Sequence, residues 1–151
     1  PQYFQKTTYY CGPASVQMLL DFLMNRKIEQ DTLAKWMETK GPTAGTRPVL
    51  IMKFLRKFTG EPFREVEAFS HEIIEKNIEY GFPVIARVET SYLRGWDDDS
   101  GGGHFILIKG FTKNFYYVND AVKGKVFYSR KEIEEATVKH VFGPLLIVRV
   151  K

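Results

Sequence analysis

The sequence predicts an α+β fold in which an N-terminal helical half packs on a C-terminal, bent antiparallel sheet. Up to Gly81 the apolar residues recur at helical spacing. From Pro83 onward the chain consists of short segments rich in β-branched and aromatic residues, with the turn-like stretches "TKN" and "VKG" between them. Because the helices precede the strands, we expect two layers within a single domain that spans residues 1–151.

Four helices are predicted in the first half. The first begins at Cys11, has Pro13 in its first turn, and carries apolar residues around enough of its circumference to be mostly buried. The fourth, "HEIIEKNIEYG", follows the capping residue Ser70 and ends at Gly81. The second is predicted from about Asp31, as its cap, to Glu38, and the third from Thr46 or Arg47.

Five strands and one further helix are predicted in the second half. Ser129 caps the helix "SRKEIEEATV", and Glu132 three residues later completes a capping box. The stretch 90–103, "TSYLRGWDDDSGGG", is long for a connection in a compact domain, which favours a functional loop. The predicted strands are "PVIARVE", "HFILIKGF", "FYYVND", "KVFYS" and "PLLIVRV".

Composition and charge argue against several classes of protein. Hydrophobic residues make up 44% and charged residues 26% of the chain, as in an ordinary soluble globular domain. The net charge of +4 is small and dispersed along the sequence, which argues against a nucleic-acid partner. No apolar run approaches the ~20 residues of a membrane span. The oligomeric state is left open.

Cysteine and histidine are too few for a metal site or an internal disulfide. The chain contains one Cys and three His without paired metal-ligand spacing, so no metal or other cofactor is expected. A single cysteine slightly favours the cytoplasm over an oxidising compartment. The chain begins at Pro1, and a signal peptide or anchor removed before it would leave no trace. The compartment is therefore left open.

Cys11 lies at the predicted start of a helix, in the stretch "CGPAS". The helix dipole and the unpaired backbone N–H groups there favour a thiolate, which is the reactive form of cysteine. A lone cysteine beside apolar residues is, however, more often a buried structural side chain. A nucleophilic role therefore requires a base, a residue that orients the base, and donors to an oxyanion.

His104 is the candidate base, because it begins the strand "HFILIKGF" directly after three glycines. A hairpin with "FYYVND" places Asp120 opposite His104 or a near neighbour, on the same face, where its carboxylate can orient the imidazole. A one-residue slip in the turn would select Asn119 instead, and an ordinary strand histidine is the alternative for His104. The other histidines, His71 and His140, lie in polar helical surroundings and are predicted to be at the surface.

Gln5, six residues before Cys11, is the candidate oxyanion donor. Its amide can donate beside the Cys11 N–H if the intervening "KTTYY" loops back to the helix start; otherwise it is a solvated side chain. In the 90–103 loop, Trp96 is either a subsite residue or an exposed aromatic. The acidic run 97–99 is interpreted as solvated rather than as a calcium site, and glycines 101–103 as allowing close backbone approach or as a flexible loop.

These motifs, taken in order, resemble those of the papain-like cysteine peptidases. A glutamine precedes "CGPAS" on a helix, Gly-His then heads an apolar strand, and Asn-Asp ends the next strand. Within that group the chain is most similar to the bacteriocin-leader-processing, double-glycine type of peptidase domain, over nearly its whole length. The resemblance implies a papain-like fold.

The resemblance also implies a cysteine peptidase, with Cys11 as nucleophile, His104 as general base and acid, Asp120 as the orienting residue and Gln5 as oxyanion donor. The implied reaction is acyl transfer from a peptide or protein substrate to Cys11, followed by hydrolysis of the thioester, without a cofactor. Members that process leaders are usually fused to a transporter and an ATP-hydrolysing domain, and this chain shows neither. The substrate is therefore left open. The alternatives are a non-hydrolytic peptide-binding module and a thiol acyltransferase on the same fold.

Overall fold

A computed structural model describes residues 1–41, 44–96 and 103–149 of the chain. Within these ranges the chain forms five α-helices and six strands, and the predicted α+β class is confirmed. In chain order the elements are α1 Cys11–Met24, α2 Gln30–Trp36, α3 Pro48–Thr59, β1 Phe63–Val66, α4 His71–Glu79, β2 Val84–Glu89, β3 Gly103–Phe111, β4 Phe115–Asp120, β5 Gly124–Ser129, α5 Arg130–Val138 and β6 Leu145–Arg149. A short 3₁₀ helix, Thr90–Tyr92, follows β2.

The predicted caps of α4 and α5 are confirmed. Ser70 Oγ accepts a hydrogen bond from the Ile73 N–H at 3.2 Å, and Ser129 forms the full capping box with Glu132. Strand β1 is a finding that the sequence pattern did not predict. Its four residues, "FREV", are too few and too charged to show apolar alternation, and they form a strand because they pair with β6, far away in the sequence.

The predicted cap of α2 is wrong. The helix begins at Gln30, and its N-cap is Glu29, which makes no side-chain capping hydrogen bond. The Asp31 carboxylate is bonded instead to the Lys6 ammonium and to the Tyr10 hydroxyl. An aspartate that sits in the first helical turn thus holds the chain segment before α1, instead of capping its own helix.

The six strands form one antiparallel sheet in the order β1-β6-β2-β3-β4-β5. Helices α1, α2 and α3 contribute the core on one face, together with Phe105 and Leu107 of β3. Helices α4 and α5 cover the other face, where Ile106 and Ile108 of β3 are buried. Strand β3 is therefore apolar on both faces, which explains its unbroken "FILI" run. The second covered face was not part of the sequence prediction.

A β-bulge decides which side chain of β4 faces His104. Near the turn, the pairing of β3 with β4 is shifted by one residue from the pairing that places Asp120 on the same face as His104. If this shifted pairing continued to the end of β4, Asp120 would lie on the opposite face. Lys109 has no partner across the ladder, and the pairing shifts by one residue there. Beyond the bulge Asp120 lies opposite Ile106, which shares a face with His104. The observed pairs are Phe111 with Tyr116 and Gly110 with Tyr117, then Ile108 with Val118 and Leu107 with Asn119.

The glycine after the cysteine allows the segment before α3 to pack against α1. A Cβ atom on Gly12 would lie 2.8 Å from Oγ1 and 2.9 Å from Cβ of Thr46. Thr46 is 5% exposed, and its hydroxyl lies 2.7 Å from that of Thr39, so it has little room to move. The close approach therefore requires glycine.

We expect Gly12→Ala to lower the free energy of unfolding by about 1–3 kcal/mol, the range for overpacking a buried contact. Urea denaturation measures the change. In a Thr46→Gly background, which removes the opposing atoms, the same substitution should cost clearly less. Gly41→Ala is the matched control, because a Cβ there meets no atom of the described residues within 4 Å. A Gly12→Ala variant as stable as the parent would contradict this packing.

Candidate active site

The N-terminal turn of α1 docks on an edge of β3 that β4 leaves open. Strand β4 ends at Asp120, so among the described residues the Phe105 backbone has no strand partner on this side. Ser15 Oγ donates to the Phe105 carbonyl oxygen at 3.5 Å, and the Phe105 N–H is close enough to the Cys11 thiol to lower its pKa. The start of α1 thus occupies the position that β4 vacates, and Cys11 lies beside β3.

His104 lies between Cys11 and Asp120. Its Nε2 atom is 3.0 Å from Asp120 Oδ1, which leaves Nδ1 to interact with the Cys11 thiol. The side chains of His104 and Asp120 are 7% and 0% exposed, whereas Cys11 is only partly buried. Three of the four predicted site residues therefore lie together with the imidazole in the middle, and Cys11 is the least buried of the three.

The surroundings of the thiol and the imidazole favour an ion pair. Burial raises the pKa of Cys11. The hydrogen bond and charge of His104, together with the N–H groups of Phe105 and Gly12, lower it by a larger amount, so the net shift of this pKa is downward. Burial lowers the pKa of His104, but the hydrogen bonds to Asp120 and Cys11 raise it to about 10. Both shifts act in the direction of a thiolate that faces an imidazolium.

The turn after β4 holds the Asp120 carboxylate in place. Oδ1 accepts hydrogen bonds from the backbone N–H groups of Val122 at 2.7 Å and Lys123 at 3.2 Å, in addition to the bond from His104. Burial raises the pKa of Asp120, but these three donors lower it more, so the group stays ionised. The carboxylate therefore reaches His104 with a fixed geometry and a negative charge.

Gln5 lies at the end of β4. Its backbone N–H donates to the carbonyl oxygen of Ala121, the residue after Asp120, at 2.8 Å. The Oε1 atom of Gln5 is buried and has no hydrogen-bond partner in the described part of the chain. No hydrogen bond joins Gln5 to Cys11 within residues 1–41. The structure thus brings Gln5 to the strand end that carries Asp120.

The backbone N–H of Cys11 is a second available donor. The N-cap residue Tyr10 provides no side-chain cap, the Gly12 N–H donates to the thiol, and Pro13 has no N–H. The Ala14 N–H makes the first helical hydrogen bond, to the Tyr10 carbonyl oxygen at 2.8 Å. This leaves the Cys11 N–H without a partner among the described residues, and it lies at the positive end of the helix dipole.

Trp96 packs on His104 instead of extending into solvent. The two ring centroids are 5.1 Å apart, and the Lys123 ammonium lies 5.0 Å from the centroid of the Trp96 ring. The indole therefore covers one side of the imidazole. Asp97, Asp98, Asp99 and glycines 101–102, for which the sequence suggested roles, lie outside the described residues, and Gly103 begins β3.

The predicted surface position of His140 is wrong. It is 8% exposed, because the end of α5 folds back against the start of β3, and a Cβ on Gly103 would lie 2.8 Å from its Nε2 atom. Its Nδ1 atom accepts a hydrogen bond from the Phe142 N–H at 3.1 Å. His71 is partly buried, with its Nδ1 atom 2.6 Å from the Tyr116 hydroxyl. Neither histidine is bonded to Cys11.

Within residues 1–41, 44–96 and 103–149, side chains of His, Cys, Asp and Glu form no group of three that could hold a metal ion. In the same part of the chain, every helix is too short or too polar to cross a bilayer.

Comparisons with known structures identify the same architecture in peptidases. The fold matches a Bacillus anthracis protein described as a C39-like peptidase, at a TM-score of 0.75 and 15% identity, over 100% of this chain and 94% of that one. It matches a double glycine motif protease from an AMS/PCAT transporter, solved with its leader peptide, at 0.69 and 18%, over 98% and 89%. It also matches the peptidase domain of Streptococcus ComA, a bifunctional ABC transporter of a quorum-sensing pathway, at 0.68 and 17%, over 96% and 93%.

None of the curated proteins matches the sequence significantly. The model of the Peptidase_C39 like family, in contrast, matches residues 1–142, nearly the whole chain. The family match and the structural matches agree, so the resemblance predicted from the sequence motifs and the predicted fold are both confirmed. The chain belongs to the Peptidase_C39 like family and is a cysteine peptidase-like domain.

Proposed function

We propose that this domain is a cysteine peptidase that hydrolyses a peptide bond through Cys11, His104 and Asp120 and a thioester intermediate. The observation that carries the proposal is that His104 lies between the Cys11 thiol, at the start of a helix, and the Asp120 carboxylate, whose Oδ1 atom is 3.0 Å from Nε2. This arrangement supplies a nucleophile, a base that is also an acid, and a group that orients the base.

In the first step the Cys11 thiolate attacks the carbonyl carbon of the scissile peptide bond, and the carbonyl oxygen becomes an oxyanion. The imidazolium of His104 then gives its Nδ1 proton to the leaving nitrogen as the C–N bond breaks, which leaves a thioester on Cys11. The Asp120 carboxylate accepts a hydrogen bond from the Nε2–H of His104, so the proton that is transferred is the one on Nδ1. The raised pKa of His104 and the lowered pKa of Cys11 support this starting ionisation.

In the second step a water molecule attacks the thioester carbonyl. His104, now neutral at Nδ1, takes a proton from that water, and the tetrahedral species collapses to a carboxylic acid as the C–S bond breaks and the Cys11 thiolate leaves. The released thiolate and the protonated His104 restore the ion pair. The net change is hydrolysis of one amide bond, with no cofactor consumed.

Two donors are available for the oxyanion. The Cys11 N–H has no partner among the described residues, and the side-chain amide of Gln5 carries two N–H donors. Each donor of this kind contributes roughly 10²- to 10³-fold to the rate. We therefore assign Gln5 and the Cys11 backbone to this role.

The substrate is proposed to be a peptide or a segment of a protein. One structural match was solved with a leader peptide, and the three matched folds are peptidases or peptidase domains by description. Sequence identities of 15–18% support a common fold but carry no information on the peptide sequence that is cut, which is left to experiment.

The first prediction concerns the ionisation of Cys11. We expect the rate of alkylation to rise through a pKa below the ~8.5 of a free cysteine, because His104 stabilises the thiolate. In His104→Ala, which removes the positive charge, this midpoint should move up by at least about one pH unit. The measurement is the alkylation rate against pH, followed by mass spectrometry. His71→Ala is the matched control, since His71 bonds Tyr116 and Glu134. A midpoint that is the same in the parent and in His104→Ala would contradict the ion pair.

The second prediction concerns turnover. The parent should generate new peptide termini in a library of protein-derived peptides, whereas Cys11→Ala should generate none and Asp120→Ala should be at least about 10²-fold slower. Mass spectrometry of the products measures this, with His71→Ala again as the control for handling and folding.

The same experiment separates the alternatives. Products that carry an added amine, when a primary amine is supplied, would indicate acyl transfer rather than hydrolysis. Binding of peptides to the parent and to Cys11→Ala without any cleavage by the parent would indicate a binding module and overturn the peptidase proposal.

A further inference from the structure

The backbone on both sides of Gln5 is hydrogen-bonded to a single buried side chain. Gln30, the first residue of α2, donates from Nε2 to the Phe4 carbonyl oxygen at 2.8 Å and accepts at Oε1 from the Lys6 N–H, also at 2.8 Å. The residues before and after Gln5 are thus bonded to the two ends of one amide. Gln30 is 7% exposed, so this contact is shielded from water.

A second glutamine determines which way this amide points. Gln17, within α1 and 3% exposed, accepts from Gln30 Nε2 at its Oε1 atom at 2.9 Å. Its own Nε2 donates to the Ile28 carbonyl oxygen at 3.0 Å. Rotating the Gln30 amide by half a turn would place its NH₂ against the Lys6 N–H and its oxygen against two acceptors. The network therefore allows one orientation.

A third contact fixes Gln5 against the strand end that carries Asp120. The Gln5 N–H donates to the Ala121 carbonyl oxygen at 2.8 Å. The backbone is thus held at Gln5 itself and on both sides of it, so only the side-chain torsions of Gln5 stay free. A side-chain donor on such a backbone is held close to one position before any substrate binds.

We propose that Gln30, oriented by Gln17, is a positioning residue for the oxyanion donor Gln5. This inference rests on the proposed function, because it assigns a purpose to Gln5 that only acyl transfer at Cys11 requires. Gln30 touches neither the thiol nor the imidazole by hydrogen bond in the described part of the chain, and it acts through the backbone at Phe4 and Lys6.

The chemistry of this network leads to a specific consequence. Gln17 and Gln30 are neutral at every pH of interest, so they place a donor without changing the charge near the Cys11 thiolate. Loss of Gln30 should therefore impair a reaction that forms an oxyanion and spare a reaction of the same thiolate that forms none. A residue that only stabilises the fold would not separate the two reactions.

The test uses two reactions of Cys11 in the intact chain. Acylation by N-benzyloxycarbonylglycine p-nitrophenyl ester passes through an oxyanion and releases p-nitrophenolate, which is followed by absorbance. Exchange with methyl methanethiosulfonate attacks sulfur and forms no oxyanion. In Gln30→Met we expect acylation to be about 10- to 100-fold slower, since a misplaced donor or reactant of about 1 Å costs up to ~10²-fold. Thiol exchange should stay within about 2-fold of the parent.

Two further variants make the test specific. The double variant of Gln5→Ala with Gln30→Met should acylate no more slowly than Gln5→Ala alone, because both changes remove the same donor. Asn77→Leu is the matched control: Asn77 is another buried amide, 6% exposed, bonded to the Ile73 carbonyl oxygen and to the Arg149 N–H. Its loss should lower the melting temperature without changing the ratio of the two rates.

If Gln30→Met does not fold, Gln17→Met takes its place, because it keeps the volume and the charge and removes the oxygen that orients the Gln30 amide. Parallel loss of both reactions in these variants, or additive effects of Gln5 and Gln30, would overturn the positioning role. Acylation slowed by Gln5→Ala and unaffected by Gln30→Met would overturn it and leave the proposed function intact. A parent that shows no Cys11-dependent acylation would instead overturn the proposed function itself.

Discussion

The hydrogen bond between His104 Nε2 and Asp120 Oδ1 is the interaction on which the rest of the site depends. Asp120 is the last residue of β4, and the same strand end that presents its carboxylate also frees the edge of β3 where Cys11 docks. A longer β4 would pair with Phe105 and exclude the helix from that edge, whereas a shorter one would remove the carboxylate. The end of β4 therefore determines both neighbours of His104, the Asp120 carboxylate on one side and the Cys11 thiol on the other.

The first residues of the chain close this strand end. Asn119 Nδ2 donates to the Pro1 carbonyl oxygen at 2.8 Å, Gln2 Nε2 donates to the Asp120 carbonyl oxygen at 2.9 Å, and the Gln5 N–H reaches Ala121. Burying a carboxylate and an imidazole costs free energy that only their mutual bonds and the surrounding N–H donors offset. The N-terminal segment thus connects the proposed oxyanion donor Gln5 to the strand end that carries Asp120.

The sequence predicted most elements and the candidate residues that the structure brings together, because these depend on local patterns: an apolar helix that begins at Cys11 with Pro13 in its first turn, and an apolar strand behind His104. The prediction that His104 and Asp120 share a face assumed a particular pairing of β3 with β4 at the turn. The pairing observed at the turn is shifted by one residue, and the bulge at Lys109 reverses this shift. No local pattern encodes that bulge. The buried amides were also missed, although Gln17, a lone amide in a run of buried residues from Gly12 to Leu20, was a detectable signal.

The most direct test of the account is the protonation of His104, measured by NMR of ¹⁵N-labelled histidine in the parent and in Cys11→Ala. The account predicts that near pH 7 both ring nitrogens of His104 carry protons in the parent, and that the imidazolium loses its proton only as the pH approaches the raised pKa of about 10. Removal of the thiolate should lower this pKa. A neutral ring near pH 7, protonated at Nε2 alone and unaffected by Cys11→Ala, would contradict the ion pair.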